Sequence, residues 1–207
     1  MALVIYPVKG SGGKAERMRV SREKAAENRE RIVDTAARLF REKGFDGVGV
    51  DEIMNGAGLT HGGFYGHFGS KEDLATEAVL RALQRSAERQ SGFTSLGDLV
   101  SDYLSERHRA DRANGCPIAA LGPDIARQGA GIRRGLTAHL RAQLNRVAQL
   151  LRGGTAPSRR KRAIATLAGM VGALTLARAV DDPTLSTEIL AAARDTFGRS
   201  AVGRSSR

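Results

Sequence analysis

Apolar residues recur at helical spacing through most of this 207-residue chain, and this periodicity restricts its possible folds more than any other feature. From about Arg22 onward, hydrophobic positions lie three or four residues apart, with charged residues on the opposite face. Breaker sequences such as "NGCP", "GGTAPS" and "DDP" separate the periodic segments. Alternating residues that would favour a strand are missing after residue 10. We therefore predict an all-α protein of about nine helices.

The composition is that of a globular protein with a basic surface. Hydrophobic residues make up 41% of the chain, and 33 Lys and Arg against 22 Asp and Glu give a net charge of +11. Such a charge suits polyanionic partners, either nucleic acid or an anionic membrane. Because most of the excess lies after residue 72, charge alone does not locate a binding site.

Cysteine content and hydropathy favour a cytoplasmic protein without a membrane partner. A single cysteine excludes an internal disulfide and a multi-cysteine metal cluster, which fits a reducing compartment. The longest apolar stretch, residues 164–177, is shorter than the roughly 20 residues that span a bilayer. In residues 1–10 the apolar run precedes the basic residue, the reverse of a secretory signal.

Four segments are predicted along the chain. Residues 1–21 are glycine-rich and basic, which is typical of a flexible arm, and residues 202–207 are predicted to form a disordered tail. Residues 22–69 contain a long helix that stops at "REKGF", a short helix, a turn and a second short helix, which together form a helix-turn-helix domain. Residues 70–201 form the C-terminal domain, with helices at 95–112, 118–128, 132–152, 159–180 and 183–197.

The segment "GLTHGGFYGHFGSKEDL" places glycines beside histidines and aromatic residues. Each glycine costs about 1 kcal/mol relative to alanine inside a helix, so packing of Leu59, Phe64 and Phe68 must hold the second short helix in place. In return, a backbone without bulk can approach phosphates and base edges closely. We expect the Thr60 hydroxyl to cap this helix and Ser70 to cap the next one.

Polar side chains in the same segment are suited to a nucleic-acid backbone. Tyr65 and His67 carry hydrogen-bond donors, and Lys71 adds a positive charge at the N-terminus of the following helix. A helix-turn-helix presents its second short helix to the major groove. The sequence therefore predicts double-stranded DNA as a partner.

These residues resemble the signature of the TetR family of bacterial transcriptional repressors, which is close to V-S-x-G-T-x-Y-x-H-F-x-S-K-E-x-L. The similarity extends through "RIVDTAARLFREKGFDGVGVDEIMNGAGLT" and covers residues 29–83. Gly49 and Gly63 depart from the pattern, because the family commonly has Ser or Thr there. The matching residues of the signature are Thr60, Gly62, Tyr65, His67, Phe68, Ser70, Lys71, Glu72 and Leu74.

The resemblance implies a homodimer with an N-terminal DNA-binding domain and a larger C-terminal domain that holds a ligand pocket and the dimer interface. It implies a repressor that binds a palindromic operator and is released by a small-molecule inducer. The implied DNA-backbone contacts are Thr60, Tyr65, His67 and Lys71. The positions of His61, Gly62 and Gly63 are implied to face the groove.

Cys116, in "NGCPIAALGPDI", allows two interpretations. A lone cysteine before an apolar helix is commonly a small buried hydrophobic residue. Alternatively, Arg109, Arg112 and the helix N-terminus could make it a reactive thiol. Some thiol-sensing members of the resembled family carry a similar Gly-Cys at the start of a pocket helix, which would make a thiol-reactive compound the inducer. The sequence leaves both interpretations open.

Small residues recur along the apolar segment 163–179, which lets two helices approach closely. This stripe fits either a tightly packed core helix or, by the resemblance, a dimer interface shared with the helix at 183–197. We predict an interface. Its predicted residues are Ala165, Gly169, Gly172, Ala173, Leu176, Leu185, Ile189 and Ala193.

Other functions receive less support from the sequence. "GHFGSK" lacks the order of a phosphate-binding P-loop, and His61 and His67 point to different helix faces without a further ligand nearby. We therefore predict no catalytic residue, no metal site and no cofactor, although an enzyme or carrier that keeps the helical fold and a sequence-indifferent nucleic-acid binder remain alternatives. We expect the pocket, within residues 95–180, to be lined mostly by Leu, Ala, Ile and Val with scattered Arg, which predicts a largely apolar inducer.

Overall fold

The structure, a computed structural model, describes residues 12–198, with side chains from residue 22 onward. Ten helices and no strand are found in this range, so the prediction of an all-α fold is confirmed. The elements are α1 (Gly12–Lys43), α2 (Val50–Gly56), a 3-10 helix (His61–Gly66), α3 (Lys71–Ser91), α4 (Leu96–Tyr103), α5 (Glu106–Ala110), α6 (Pro117–Ala126), α7 (Ala130–Leu150), α8 (Ala156–Ala179) and α9 (Pro183–Gly198).

The N-terminal core forms where α1, α2, the 3-10 helix and α3 meet. Helix α1 ends as predicted, because Gly44 adopts the left-handed backbone with φ 76°. The Gly44 amide donates to the Phe40 carbonyl at 2.8 Å, and the Phe45 ring contacts that of Phe40 edge-on at 5.2 Å between centroids. This cap fixes the direction in which the chain leaves α1.

Helix α3 connects the two halves of the chain. The Asp73 amide donates to the Ser70 hydroxyl at 3.0 Å, so the predicted cap is confirmed. Arg81 pairs with Asp34 of α1 at 3.0 Å, and Arg85 pairs with the same carboxylate at 2.7 Å. Side chains from α6 and α7 also enter the N-terminal core. The predicted domain boundary between residues 69 and 70 therefore does not separate the two halves of the chain into independent cores.

The C-terminal core is formed by α4 and α6 to α9, with α8 packed against α6, α7 and α9. Helices α6 to α9 begin and end within three residues of the predicted limits. Among the described residues, α8 has the length and composition of a membrane span. Its buried residues, which include Leu167, Met170 and Leu174, belong to the protein core, so this property is weak support for a membrane role.

Two predictions of element limits differ from the structure. Helix α1 begins at Gly12, ten residues before the predicted start, because "KAERMRV" after the glycines contains good helix formers. The predicted arm is therefore helical over residues 12–21. Residues 1–11 and the predicted tail at 202–207 lie outside the described residues.

The predicted helix at 95–112 is two helices, α4 and α5, joined at Leu104 and Ser105. The Ser105 hydroxyl donates to the Asp102 carbonyl at 2.8 Å and accepts from the His108 amide at 3.1 Å. Ser105 is thus an N-cap inside an apparently continuous periodic segment. The break directs α5 toward the C-terminal cavity.

Candidate nucleic-acid interface and ligand cavity

The 3-10 helix is anchored by two phenylalanines on its inner side. Phe64 is 1% exposed and Phe68 is 4% exposed, and their ring centroids are 5.8 Å apart. The guanidinium carbon of Arg29 lies 4.7 Å from the centroid of the Phe68 ring, and Leu59 packs against the same core. Packing with its neighbours, rather than intrinsic propensity, therefore holds this helix, as the sequence predicts.

The turn before the 3-10 helix requires a glycine. Gly58 has φ 68°, in the left-handed region that disfavours other residues. A Cβ atom at this position would also lie 2.8 Å from an Arg31 side-chain nitrogen. That same arginine donates a hydrogen bond to the Ala57 carbonyl, so it fastens the turn to α1.

Polar side chains cover the outer side of the 3-10 helix, and we call Thr60, His61, Tyr65, His67 and Lys71 the recognition surface. Tyr65 is 71% exposed, and the His61 side chain is 54% exposed. Thr60 is also exposed, whereas His67 and Lys71 are half-buried. The structure thus brings these five predicted DNA contacts together on one side of the N-terminal domain.

Two members of the recognition surface have partners within the chain. The Lys71 ammonium donates to the Phe45 carbonyl at 2.7 Å, which fixes it near the end of α1. The Nδ1 atom of His61 pairs with the Asp51 carboxylate of α2. These contacts orient both side chains toward the edge of the helix-turn-helix.

The glycines of the 3-10 helix are not required by the protein itself. None of Gly62, Gly63 and Gly66 has a left-handed backbone. A Cβ atom at Gly62 or Gly66 would meet no other atom within 4 Å, and one at Gly63 would make an ordinary contact with Met54 at 3.6 Å. Free space next to these backbone atoms is what a closely approaching partner needs.

Capping around this helix differs from the prediction in one respect. Thr60 occupies the N-cap position with φ −85° and ψ 151°, but its side chain makes no capping hydrogen bond. The prediction of a Thr60 cap is therefore wrong, and the Gly63 amide donates to the Thr60 carbonyl at 3.1 Å instead. Gly49 caps α2 without a side-chain bond, as expected from its lack of a hydroxyl.

The C-terminal domain contains a cavity of about 270 Å³ between α3, α4, α5 and the loop before α6. Its lining contains one aliphatic residue, Leu99, among polar, charged and aromatic residues, so the prediction of a lining mostly of Leu, Ala, Ile and Val is wrong. Cys116 lies in its wall. The lining residues are Ser86, Arg89, Gln90, Phe93, Leu99, Asp102, Tyr103, Arg107, His108, Asp111, Asn114, Gly115 and Cys116.

His108 organises the wall around Cys116. Its Nδ1 lies 2.6 Å from the Tyr103 carbonyl, and its Nε2 accepts from the Cys116 amide at 2.9 Å. This pair of bonds defines a neutral imidazole that donates through Nδ1. The Cys116 residue is 4% exposed, so its thiol is buried in the cavity wall.

Arginines from distant segments bond to the backbone around this cavity. Their positions were not predicted from the sequence. Arg178 of α8 donates to the carbonyls of His108 at 2.5 Å and Arg109 at 3.1 Å. Arg41 of α1 donates to the Ala113 carbonyl at 2.5 Å. Arg109 and Arg112, which we expected beside Cys116, instead bond to Ser186 and to the Arg178 carbonyl. Their long sequence separation leaves no local pattern to detect.

The histidine in the cavity wall predicts a loss of stability in mild acid. Burial lowers the pKa of His108 against the effect of its bond to the Tyr103 carbonyl, and Arg178 lowers it further. Below a pH of about 6.5 the unfolded state therefore binds more protons than the folded state. We expect the melting temperature to be constant at higher pH and to fall as the pH drops through that value.

A thermal melt series between pH of about 7.5 and 5.5 checks this expectation. Burial also lowers the pKa of His139, so the two histidines act in the same direction. The His108→Gln variant should lose part of the acid sensitivity, and His139→Gln should lose a separate part. An unchanged pH profile in His108→Gln would contradict the assignment.

The predicted interface residues divide into two groups. Ala165, Leu176 and Leu185 are exposed, and a Cβ atom on Gly172 would meet nothing within 4 Å. The other four pack inside the chain, because α9 lies directly against the small-residue stripe of α8. Gly169 faces the Phe197 ring, Ala193 is 9% exposed, and Ala173 and Ile189 pack on the core.

Comparison with known proteins identifies the N-terminal part of the chain. Residues 32–78 match the family described as "Bacterial regulatory proteins, tetR family". An uncharacterized HTH-type transcriptional regulator of Mycobacterium tuberculosis (strain CDC 1551 / Oshkosh) is 34% identical over 98 residues, which cover 45% of this chain and 50% of that protein. The HTH-type transcriptional regulator AcrR of Shigella flexneri is 41% identical over 59 residues, 28% of this chain and 27% of that protein. The matched region thus spans about half the length, or less, of these curated relatives.

Solved structures extend the similarity to the C-terminal domain. A TetR transcriptional regulator from Chloroflexus aurantiacus J-10-FL superposes with a TM-score of 0.73 and 26% identity, over 87% of this chain and 97% of that one. A TetR-family regulator from Cytophaga hutchinsonii has the same fold, with a TM-score of 0.70 and 19% identity over 84% and 94% of the two chains. These relatives are transcriptional regulators rather than enzymes. The N-terminal part of the chain thus matches the TetR family of bacterial regulatory proteins, and the whole described chain has the fold of solved TetR-family regulators.

Proposed function

We propose that this protein is a homodimeric transcriptional repressor in the cytoplasm that binds a palindromic DNA operator and is released by a small molecule. The observation that carries the proposal is the recognition surface, where exposed donors stand beside glycines whose outer side is open. An α-helical or 3-10 segment with so little bulk can enter the major groove closely.

In this proposal the residues of the recognition surface have different roles. Thr60, Tyr65, His67 and Lys71 donate hydrogen bonds to phosphate oxygens and set the position of the domain. His61, with the backbone of Gly62 and Gly63, faces the base edges. The Asp51 carboxylate next to His61 orients the imidazole and limits how closely a phosphate can approach it.

The dimer uses the outward side of α8 and α9. Ala165, Gly172 and Leu176 recur at helical spacing on α8, and Leu185 continues the apolar side onto α9. Leu176 is 58% exposed and Leu185 is 41% exposed, which leaves a flat apolar face on the single chain. A two-fold pairing of this face would bury it and place two recognition surfaces on one DNA duplex.

A path for the response to a ligand runs through the loop before α6. Asp111, Asn114, Gly115 and Cys116 of this loop line the cavity, and the carbonyl of Ala113, between them in the chain, accepts a hydrogen bond from Arg41 near the end of α1. A ligand that moves the loop changes the position of α1 relative to the C-terminal domain. It thereby favours distances between the two recognition surfaces of the dimer that do not fit DNA. The inducer is either a reversibly bound small molecule or a thiol-reactive compound that modifies Cys116.

Binding assays on variants of the recognition surface test this proposal. Tyr65→Phe removes a hydroxyl from a side chain that is 71% exposed, so folding should be unaffected. We expect its affinity to fall several-fold for operator and random DNA alike, because a phosphate contact carries no sequence information. Lys71→Gln should also reduce the slope of log affinity against log salt by about one. Gel shifts over a range of salt concentrations measure both effects.

His61→Ala should instead change which base sequences are preferred, because the residue faces the groove. Arg141→Gln, on the exposed surface of α7, is the matched control for loss of one charge and should leave affinity for DNA unchanged. Equal affinity of wild type, Tyr65→Phe and Lys71→Gln for operator DNA would refute the assignment. Equal affinity of the wild type for operator and random DNA would indicate a sequence-indifferent binder.

Replacement of a glycine that has free space beside it in the 3-10 helix should have effects of opposite sign on stability and on DNA binding. Gly62→Ala places a methyl group in free space on a normal backbone, so unfolding should cost about 0.4–1 kcal/mol more. The same methyl group would stand between the backbone and DNA, so operator affinity should fall. Thermal melts and gel shifts measure the two quantities.

Gly97→Ala is the control for this experiment, because Gly97 lies near the start of α4 with only an ordinary contact at 3.8 Å. We expect it to raise stability and to leave affinity for DNA unchanged. If Gly62→Ala bound the operator as tightly as wild type, close approach of this backbone to DNA would be disproved.

A further inference from the structure

The wall of the cavity beside Cys116 carries two arginines and two aspartates, so it is neutral in total. Arg107 pairs with Asp102 at 2.6 Å, and the Asp111 carboxylate accepts from the amide and side chain of Asn114 at 3.1 and 3.0 Å. Among the described residues, Arg89 pairs with no carboxylate, although it lines the same cavity. Arg89 is thus the guanidinium of this wall that is available to a ligand.

Two further arginines behind the wall give the region its excess of positive charge. Arg41 and Arg178 bond to backbone carbonyls rather than to carboxylates. Burial lowers the pKa of Arg41 to about 10, and repulsion from Arg89 and Arg85 contributes to the shift. Arg89 is exposed, so an anion paired with it would relieve this repulsion in part, because solvent screens the interaction.

The cavity also offers an unused hydrogen-bond donor. Tyr103 is 4% exposed, and its hydroxyl oxygen has no hydrogen-bond partner within the described structure. The thiol of Cys116, a weak hydrogen-bonding group, is its neighbour. Burial, followed by the neighbouring Cys116, raises the pKa of Tyr103 well above its usual range, so the hydroxyl keeps its proton. A buried donor without a strong acceptor is costly, and a ligand oxygen would satisfy it.

The remaining walls limit the size and shape of that ligand. Phe93, Leu99 and the edge-on pair of Tyr103 and His108, with ring centroids 4.8 Å apart, provide apolar surface. The volume of about 270 Å³ lies just below the range of roughly 300–1,000 Å³ that holds drug-sized ligands. A single ring or a short chain fits these dimensions.

We propose that this cavity binds a small monocarboxylate with an apolar body of about one ring, held by the Arg89 guanidinium and the Tyr103 hydroxyl. The carboxylate pairs with Arg89, the ring packs on Phe93 and Leu99, and Tyr103 donates the second hydrogen bond. The assignment rests on the proposed function, since it names the chemical class of the inducer. It requires no covalent step at Cys116.

Isothermal titration calorimetry of the full chain without DNA tests this assignment, with benzoate, phenylacetate and cinnamate as probes. Their neutral amides, such as benzamide, are matched in shape and lack the charge. We expect at least one acid to bind and to bind at least about tenfold more tightly than its amide, as a charge-assisted hydrogen bond provides. Failure of all three acids to bind, or equal binding of acid and amide, overturns the proposal.

Variants assign the binding to the two named residues. Arg89→Gln should weaken binding of the acid about tenfold or more, and Tyr103→Phe should weaken it several-fold with little effect on folding. Arg85→Gln is the matched control, because it lies one turn away on α3, outside the cavity, and removes the same charge. Wild-type binding by Arg89→Gln, or an equal loss in Arg85→Gln, overturns the assignment.

The test is separable from that of the proposed function. Binding of operator DNA by the ligand-free protein tests the regulator, whereas calorimetry without DNA tests the cavity. Tight acid binding without any DNA binding would support the cavity and refute the regulator. DNA binding without acid binding would do the reverse.

Discussion

Leu176→Glu is expected to leave the protein monomeric and to remove operator binding at concentrations where the wild type binds fully. Leu176 is 58% exposed on the single chain, so the exchange should hardly affect folding of the subunit. In a two-fold dimer the same position occurs twice in one interface, and two glutamates would be buried close together. An unpaired buried charge costs several kcal/mol, which raises the dissociation constant of the dimer by at least about 100-fold.

Loss of the dimer would remove DNA binding because each subunit offers one recognition surface. Two linked surfaces bind a two-fold operator with an effective concentration that commonly strengthens binding by about 10²–10⁴. A monomer retains the weak binding of one half-site. Sedimentation equilibrium and gel shifts on the same samples measure the two quantities.

The control for this exchange is Leu80→Glu. Leu80 is 41% exposed on α3, outside the α8 and α9 face, so its replacement should leave both dimer and operator binding intact. A second interface variant, Leu185→Glu, should reproduce the monomer. If Leu176→Glu sedimented as a dimer with wild-type affinity, the partner surface would have to lie elsewhere on the chain.

Phe64→Ala is expected to destabilise the N-terminal domain by about 3–5 kcal/mol, one of the largest effects that a single exchange can have. Phe64 is 1% exposed and is the most deeply buried side chain of the 3-10 helix. The helix has three glycines and no side-chain cap, so it has little intrinsic stability to compensate. Loss of Phe64 would therefore release the recognition surface before the rest of the protein unfolds.

Hydrogen exchange and operator binding test this expectation together. In Phe64→Ala, amides of the 3-10 helix should exchange far faster than in wild type, whereas those of α8 should be unaffected, since the two lie in different cores. Phe64→Leu retains most of the apolar volume and should keep most of the binding. Uniform acceleration along the chain, or full binding by Phe64→Ala, would contradict the separate role of this helix.

The parts of this fold that could be predicted are those specified by local sequence. The Gly44 cap and the Ser70 cap depend on residues within one turn, and both are present as predicted. The anchoring of Phe64 and Phe68 follows from the low helix propensity of the glycines around them. Local chemistry therefore predicted the anchored 3-10 helix, although the Thr60 cap was assigned wrongly, and contact of the recognition surface with DNA stays a prediction.

The cavity could not be predicted because its residues come together from distant segments. Arg178 and His108 meet across 70 positions, and Arg41 and Ala113 across 72. The prediction of an apolar pocket followed from average composition. Composition contains no information about the direction of α5 after the break at Ser105. The α8 stripe was ambiguous for a related reason, since small residues suit both the contact with Phe197 and a second chain.

The hydrogen bond from Arg41 to the Ala113 carbonyl has a consequence for how such a regulator can evolve. The backbone that shapes the cavity also anchors the end of the first helix, so a substitution that refits the loop to a new compound shifts the DNA-binding half as well. In the proposed regulator, selection for a different inducer and selection for a different operator would therefore act on the same contact. Descendants of such a regulator would acquire both specificities jointly rather than one at a time.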